Sequence, residues 1–360
     1  MLANHEPNTK RRNEKVAVID FFCGAGGLAY GLKSAGLNVI AGVDFDPACR
    51  HPLEANTGAN FYLRDIAEVT ATDLNEWFGK TKIRVLAGCA PCQPFSKYSQ
   101  SRKTPSDQWG LLKHFQRLVE EVKPEIVTME NVIGLATKDI WAEFVAALED
   151  LDYSVDWKSI NCQDYGVAQT RERLVLLASR LGVIELIKPK MDETRTVKDV
   201  IGGLPKIAAG EHLKSDPLHC AASLSDTNLV RIRASKPGGT WRDWPEELRA
   251  ACHTRSTGKS YPSVYGRMEW EKPSPTITTQ CFGFGNGRFG HPEQNRAISS
   301  REAALLQSFP KEYSFLEKKE VVSFATVGRL IGNAVPPKLG ELIGKSIKSH
   351  LKQVAQARSA

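Results

Sequence analysis

The sequence predicts an α/β fold, in which a mostly parallel β-sheet carries helices on both faces and a smaller, irregular, mostly β region follows it. Two observations predict this architecture. In the first half of the chain, short apolar runs alternate with segments of helical periodicity, the pattern of a parallel sheet covered by helices. After about residue 180 the alternation stops, and residues 185–295 are rich in Gly, Pro, Ser and Thr, with short strand-like pieces.

The predicted elements follow in chain order. The strands are VAVIDFF at 16–22, NVIAGVD at 38–44, IRVLAG at 83–88, EIVTME at 125–130, YSVDWKSI at 153–160 and RLVLLAS at 173–179. The helices are 28–36, 47–56 (opened by a proline), the segments DLNEWF, LLKHFQRLVEEV and IWAEFVAALEDL, then 299–310, and one from Pro337 onward. Ligands of such sheets bind at the carboxyl ends of the strands.

Composition restricts the class of protein but does not identify it. The 360 residues are 41% hydrophobic and 25% charged, as in an ordinary globular protein. We find no apolar run of about 18 residues that would predict a membrane span, and the polar N-terminus lacks the apolar segment of a signal peptide. We therefore expect a cytoplasmic protein.

Charge and aromatic residues mark the middle of the irregular region. The net charge of +7 permits a polyanionic partner. From Asn228 to Arg267 there are eight Lys or Arg residues against three Asp or Glu, with Trp241, Trp244 and two tyrosines interleaved. Such a segment is either a nucleic-acid surface or a solvated face whose aromatic residues form a small core.

A glycine cluster separates the first predicted strand from its helix. DFFCGAGGLA places Gly24, Gly26 and Gly27 there, and glycines at such a turn allow a ligand to approach the backbone closely. Asp44 ends the next strand, where a carboxylate can accept hydrogen bonds from ribose hydroxyls. GAGGLA also satisfies the G-x-G-x-x-A dinucleotide fingerprint, so this element alone leaves NAD and S-adenosylmethionine both open.

GCAPCQPFSKYSQ at 88–100 holds a Cys-x-x-Cys pair, Cys89 and Cys92. The pair is half of a zinc site, a redox couple, or the setting of one reactive thiol. A structural zinc site needs a second Cys or His pair at matching spacing, which His219 and Cys220 do not supply. A redox pair sits at the start of a helix, whereas a long polar segment, 96–110, follows this one.

A carboxylate and two arginines share the predicted sheet edge with Cys92. Glu130 ends an apolar strand, where it would be costly to bury without a partner or a task, and Arg171 and Arg173 lie just before or at the start of the last strand. Two residues apart in extended backbone, they are expected to project on one side. Thiolate addition at C6 of cytosine, with an acid at N3 and a guanidinium at O2, would activate C5 toward a methyl sulfonium.

These motifs together resemble those of the cytosine-C5 DNA methyltransferases. DFFCGAGG, VDFDP, RDI, APCQPFS, MENVIGL, QTRERL, REAALLQSFP and GRLIGNAVPP stand in the family's order over residues 16–179 and about 296–340. The resemblance implies a Rossmann-like S-adenosylmethionine-dependent methyltransferase sheet. It further implies sequence-specific methylation of a flipped cytosine through a covalent Cys92–C6 intermediate, without a metal.

The resemblance also implies roles for individual residues. The catalytic residues would be Cys92 as nucleophile, Glu130 at N3, and Arg171 and Arg173 in support. Around S-adenosylmethionine, Phe22 and Phe45 would contact the adenine ring, Asp65 would lie near its amino group and Asp44 at the ribose. Asn333 and Val335 would complete the methionine end. The backbone of Gly24, Gly26 and Gly27 and the residues Ile66 and Pro91 would complete the cofactor site. The DNA contacts would be Gln93, Ser96 and Lys97 in the closing loop, Thr278 at a phosphate, and Arg231, Arg233 and Arg242 in the basic region.

Two cysteines depart from the family's commonest pattern. Cys23 and Cys89 stand where the family often has Ala, Gly or a similarly small residue, and we expect both to be small core fillers.

The resemblance divides the chain into four segments. They are a flexible N-terminal arm at 1–14, the first part of the catalytic domain at 15–181, a target-recognition domain at 182–292, and a hinge with C-terminal helices at 293–360. We expect a monomer that acts on double-stranded DNA and releases S-adenosylhomocysteine, either as a modification enzyme paired with a restriction endonuclease or as an orphan methylase. The alternatives are a tRNA cytosine-5 methyltransferase, a non-catalytic DNA-binding homologue, and a nicotinamide dehydrogenase read from the glycine motif alone.

Overall fold

The computed structural model describes residues 16–91, 110–188, 194–255, 261–317 and 321–359. The predicted nucleophile and its neighbours in the loop, Cys92, Gln93, Ser96 and Lys97, lie outside the described residues, as does the predicted N-terminal arm.

A seven-stranded sheet forms the centre of the molecule. Its strands are β1 (Val16–Phe21), β2 (Val39–Asp44), β3 (Asn60–Leu63), β4 (Ile83–Gly88), β5 (Ile126–Asn131), β6 (Ser154–Asn161) and, after the two-residue β7 (Gln169–Thr170) that lies outside this sheet, β8 (Glu172–Ser179). The order is β3-β2-β1-β4-β5-β8-β6, and β8 runs antiparallel to both of its neighbours. The chain therefore winds outward in both directions from β1, which places a ligand crevice at the carboxyl end of that strand.

The predicted strands agree with the observed strands of the seven-stranded sheet within a residue or two at each end, and one strand of that sheet, β3, was not predicted. β3 has only four residues, and the first and last of them are exposed. So short a segment carries no readable alternation of its own. Its pairing with β2 makes it a strand.

Helices cover both faces of the sheet, as predicted. They are α1 (Gly27–Ser34), α2 (Arg50–Thr57), α3 (Ala71–Phe78), α4 (Gly110–Val122) and α5 (Asp139–Asp150). Leu32 of α1 and Leu53 of α2 pack into the core on one face, whereas Leu74, Phe115 and Phe144 from the next three helices fill the other.

The region after the sheet is irregular, as predicted, but the expectation that it is mostly β is wrong. It contains α6 (Val197–Ile201), β9 (His212–Leu213), β10 (Asp216–Cys220), α7 (Asp226–Ala234), α8 (Ala251–Thr254) and β11 (Ser274–Pro275). In this region a side chain supplies hydrogen bonds that neighbouring strands would otherwise give to the backbone carbonyls. The buried guanidinium of Arg267 donates to the carbonyls of Ile232, Ser235, His291 and Gln294, so this backbone is satisfied without sheet pairing.

Two of the interleaved aromatic residues form a small separate core. Trp241 and Trp244 are buried, together with Ile232, Phe284 and Ala297. Tyr261 remains exposed. The aromatic pattern of this region therefore serves packing at the two tryptophans.

The C-terminal helices return to the sheet. They are α9 (Ser300–Leu306), α10 (Phe324–Asn333) and α11 (Pro337–Ala357). α11 lies directly on α1: a Cβ added to Gly31 would stand 2.3 Å from the carbonyl oxygen of Pro337, and one added to Gly340 would stand 2.8 Å from that of Leu28. Close approach of the two helices thus depends on glycines. None of the helices in the described ranges has an apolar stretch long enough to cross a membrane.

We predict that Gly31→Ala lowers the free energy of unfolding by about 1–3 kcal/mol, because the added methyl group meets backbone that cannot rotate away. The loss should appear in urea unfolding despite the roughly 1 kcal/mol by which alanine favours a helix over glycine. Gly203→Ala is the control, because nothing lies within 4 Å of a Cβ at that position, and it should change stability by less than about 0.5 kcal/mol. Equal effects of the two substitutions would contradict the packing argument.

One carboxyl group lies in the core beside the glycine turn. Asp20 of β1 is 1% exposed, and neither of its oxygens has a hydrogen-bond partner among the described residues. Burial raises its pKa to about 8, opposed by the nearby Ala29 amide and reinforced by the charge of Asp44. The native state therefore binds one proton more than the unfolded chain between about pH 4 and pH 8.

This proton makes stability fall as the pH rises. The contribution of Asp20 is fully present below about pH 4 and is lost as the pH rises through about 8. We predict that Asp20→Asn, which cannot ionise, reduces the loss of unfolding free energy between pH 5 and pH 8 in urea titrations of the cofactor-free protein. The exposed Asp139 is the control, and Asp139→Asn should leave the slope unchanged. An unchanged slope in Asp20→Asn would show that Asp20 does not hold that proton.

Candidate active site

A cavity of about 180 Å³ opens at the carboxyl ends of β1 and β2. Five predicted cofactor residues line it: Phe22, Asp44, Phe45, Asp65 and Ile66. Phe45 lines this cavity while 69% of its surface is exposed. The sequence did not indicate the other lining residues, Phe21, Val43, Arg64 and Leu111.

The glycine turn and Asp44 are connected by hydrogen bonds. Gly24 and Gly26 adopt left-handed backbone, with φ of 51° and 77°, which favours glycine. The Gly24 amide donates to Oδ2 of Asp44 at 2.9 Å, and the Asp46 amide donates to Oδ1 at 3.0 Å. Burial raises the pKa of Asp44, while the amides of Gly24 and Phe45 and the charge of Arg329 oppose the rise. The carboxylate is thus held in one orientation at the cavity wall.

The last motif of the chain reaches the same turn from the other side. A Cβ on Gly27 would stand 2.2 Å from the carbonyl oxygen of Val335, so Val335 lies against the start of α1. Arg329 of α10 forms an ion pair with Asp46. Asn333 is exposed at the end of α10. The distant C-terminal residues are therefore brought to the glycine turn, although they do not line the cavity.

Glu130 lies at the adjacent edge of the sheet, where β5 ends. It is 2% exposed. Its Oε1 forms an ion pair with Nε of Arg173 at 2.8 Å, and its Oε2 accepts a hydrogen bond from Sγ of Cys89 at 2.8 Å. Cys89 packs against the hydrophobic core, as expected of a small filler, and its thiol in addition contacts the predicted catalytic acid.

The two arginines of QTRER have different partners. Arg173 faces Glu130, whereas Arg171, 3% exposed, donates to the carbonyls of Ile277, Gly332 and Ala334 at 3.0, 3.1 and 3.3 Å. Burial lowers the pKa of Arg171 to about 9, and the charge of Arg173 adds to this. The expectation that both guanidinium groups project to the same rim fails, because Arg171 lies between β7 and β8 and not within one continuous strand.

A buried amide holds the backbone just before the predicted nucleophile. Nδ2 of Asn131 donates to the carbonyl of Ala90 at 3.0 Å, and its Oδ1 accepts from the amide of Val132 at 2.8 Å. Pro91, the last described residue before the gap, follows directly. Asn131 was not among the predicted site residues, because the only signal for it in the sequence is a polar residue at the end of a buried strand.

A second, larger cavity lies beside Arg173. Its volume is about 430 Å³, and its lining is Val132, Ile133, Asn161, Thr170, Glu172, Arg173 and Thr276. Thr278 is exposed nearby in sequence, and its backbone packs against α10, since a Cβ on Gly332 would meet its carbonyl carbon at 2.3 Å.

The three arginines predicted to contact DNA differ in their surroundings. Arg231 packs within the small core: its Nε donates to the carbonyl of Leu248 at 2.8 Å, and its guanidinium lies over the rings of Trp244 and Tyr265. Arg233 and Arg242 are exposed, and the guanidinium of Arg242 lies 5.5 Å from the ring centroid of Trp241.

Comparison with known proteins gives a consistent family. Residues 16–349 match the family of C-5 cytosine-specific DNA methylases. The chain is 50% identical to the type II methylase M.HgiDII of Herpetosiphon aurantiacus over 93% of this chain and 96% of the relative. It is 33% identical to the type II methyltransferase M1.HphI of Haemophilus parahaemolyticus over 91% of this chain and 86% of the relative.

Solved structures share the fold. A protein described as a DNA modification methyltransferase encoded within an E. coli prophage superposes with a TM-score of 0.73 at 24% identity, covering 94% of this chain and 99% of its own. The methyltransferase EhMeth of Entamoeba histolytica superposes with a TM-score of 0.66 at 12% identity, with the same coverage. The match over residues 16–349 and the 50% identity to a curated relative place this chain in the C-5 cytosine-specific DNA methylase family, and it is a DNA cytosine-C5 methyltransferase.

Proposed function

We propose that the protein methylates a cytosine flipped out of a specific sequence in double-stranded DNA, with S-adenosylmethionine as donor, as the modification enzyme of a restriction-modification system. The observation that supports this most directly is the buried ion pair between Glu130 and Arg173 at the edge of the sheet. Pro91, which directly precedes Cys92 in the sequence, follows the end of β4 at the same edge. The type II relatives in bacteria support the modification role. An orphan methylase without an endonuclease would have the same chemistry.

The residues around the smaller cavity fit an adenosine-containing cofactor. Phe22 and Phe45 offer aromatic surface to a purine, and the fixed carboxylate of Asp44 offers acceptors to two ribose hydroxyls. We assign Asp65 and Ile66 to the adenine edge. We assign the methionine end to the glycine turn at Gly24, Gly26 and Gly27, together with Pro91, Asn333 and Val335. When bound, S-adenosylmethionine supplies an electrophilic methyl group to C5 of cytosine and leaves as S-adenosylhomocysteine.

The protein's own part is to make C5 of cytosine nucleophilic. The thiolate of Cys92 forms a bond to C6, and the electron pair of the C5–C6 double bond becomes available at C5. Glu130 takes up a proton from solvent as the base binds and donates it in a hydrogen bond to N3, and Arg173 stabilises the charge at O2. Departure of the C5 proton later restores the double bond and expels Cys92. Arg171 has a supporting role: it donates to the carbonyls of Ile277, Gly332 and Ala334 and does not contact the base.

The DNA contacts are assigned from the family resemblance and from the exposure of Thr278, Arg233 and Arg242. We propose that Gln93, Ser96 and Lys97 contact the flipped nucleotide, that Thr278 contacts a backbone phosphate, and that the exposed Arg233 and Arg242 contact the duplex. Arg231, which packs on Trp244 and Tyr265, would act by shaping this surface. The protein is proposed to act as a monomer.

Bisulfite sequencing of DNA from bacteria that express the protein tests the proposal. We expect full protection of one cytosine within one recognition sequence, and no protection with Cys92→Ala, which should still bind duplex DNA because the thiol is not needed for phosphate contacts. Purified wild-type protein should also form a covalent adduct with DNA that carries 5-fluorocytosine, since the fluorine cannot leave as a proton. Turnover by Cys92→Ala would exclude the covalent mechanism, and methylation of RNA but not of duplex DNA would favour the tRNA alternative.

We predict that Asp44→Asn weakens S-adenosylmethionine binding by roughly ten- to a hundredfold, since it removes a charged acceptor of about two hydrogen bonds. Isothermal titration calorimetry with the purified variant measures this. Asp139→Asn, at an exposed acid on α5, is the control and should bind the cofactor normally. Normal affinity in Asp44→Asn would mean that the cofactor does not use the cavity at β1 and β2.

A further inference from the structure

The thiol of Cys89 is placed to act on Glu130. Cys89 follows the last residue of β4, and its Sγ lies 2.8 Å from Oε2 of Glu130 on the neighbouring strand. The other oxygen, Oε1, faces Nε of Arg173 at 2.8 Å. Each oxygen of the Glu130 carboxyl group therefore has one partner: the Cys89 thiol, which follows β4, contacts Oε2, and the Arg173 guanidinium on β8 contacts Oε1.

The thiol is the donor in this contact. Burial raises the pKa of Cys89 well above its ordinary value, the charge of Glu130 and the hydrogen bond to it add to the rise, and Arg173 opposes it. Cys89 thus remains protonated at neutral pH. A thiol S–H donates weakly, but donation to an ionised carboxylate is stronger than donation to a neutral acceptor.

Such a donor matters because the terminal torsion of glutamate is soft. Rotation of a carboxyl group about its last bond has broad, shallow preferences, so a single partner at Oε1 does not define the plane of the group. A base contact requires that plane to be correct, because small errors of position reduce the rate of an aligned reaction strongly. With an alanine or glycine in place of Cys89, the thiol donor at Oε2 would be lost.

We propose that Cys89 is a positioning residue, which fixes the plane of the Glu130 carboxyl group so that it meets N3 of the flipped cytosine. This inference rests on the proposed function of Glu130. Cys89 itself contacts neither cytosine nor cofactor in the proposed mechanism, and it acts only through the carboxyl group.

The test is a double-mutant cycle on the single-turnover rate of methyl transfer to duplex DNA, at saturating cofactor and DNA. We expect Cys89→Ala to slow transfer roughly tenfold, as for loss of one hydrogen bond to a charged group, with unchanged affinity for S-adenosylmethionine and for DNA. Cys89→Ser, which keeps a donor of similar size, should restore most of the rate. In a Glu130→Gln background, Cys89→Ala should cause no further loss.

Several outcomes would overturn the inference. An active wild type with an unchanged rate in Cys89→Ala would do so, as would equal losses in the Ala and Ser variants, or a tenfold loss that persists beside Glu130→Gln. A wild-type protein that methylates no cytosine would instead overturn the proposed function, and the inference with it.

A second measurement does not require a folded Cys89 variant. The S–H stretching band of Cys89 in the infrared spectrum should shift to higher frequency in Glu130→Gln, because the acceptor loses its charge. An unshifted band would show that no such hydrogen bond exists.

Discussion

The buried guanidinium of Arg171 is the interaction on which the site depends. It donates to the carbonyls of Ile277, Gly332 and Ala334, so one side chain joins the entry to β8, the segment after β11, and the end of α10. Without it, three buried carbonyls would lose a donor, at about 1–3 kcal/mol for each group left unsatisfied. Gln307 reinforces the junction, since its side-chain amide donates to the carbonyls of Ile331 and Ala334. The start of β8, the segment after β11 and the end of α10 are thereby held in one relative arrangement.

The direction of β8 explains why acid and guanidinium meet. β5 ends at the same edge of the sheet where the antiparallel β8 begins, and the register pairs Glu130 with Val175 and Asn131 with Leu174. Arg173, one residue earlier on β8, therefore lies at the level of the strand end. Burial of an ion pair has a desolvation cost that its attraction often does not exceed. The buried pair of Glu130 and Arg173 is thus better explained by its proposed contacts to the cytosine than by a contribution to stability.

The sequence predicted most of the sheet, and five of the residues predicted for the cofactor line one cavity, because both predictions depend on local signals. Apolar runs marked β1, β2, β4, β5 and β8, and short motifs marked Asp44 and Glu130 at their ends. The missed features depend on tertiary contacts. β3 becomes a strand only by pairing with β2. The carbonyls of Ile232 and His291 are satisfied by the side chain of Arg267, which is distant from both in sequence. Arg171 points away from Arg173 because its hydrogen-bond partners lie more than 100 positions away in sequence.

The Cys-x-x-Cys spacing shows how far a pattern can be interpreted without geometry. The spacing alone suggested a metal or redox pair, and the resemblance reduced Cys89 to a filler of space. The structure places the Cys89 thiol against Glu130, at a position where the family often has no polar side chain. The two cysteines are then proposed to have separate tasks: Cys92 attacks C6, and Cys89 orients the acid that meets N3. In this chain a small residue at position 89 would leave the orientation of the Glu130 carboxyl group to Arg173 alone.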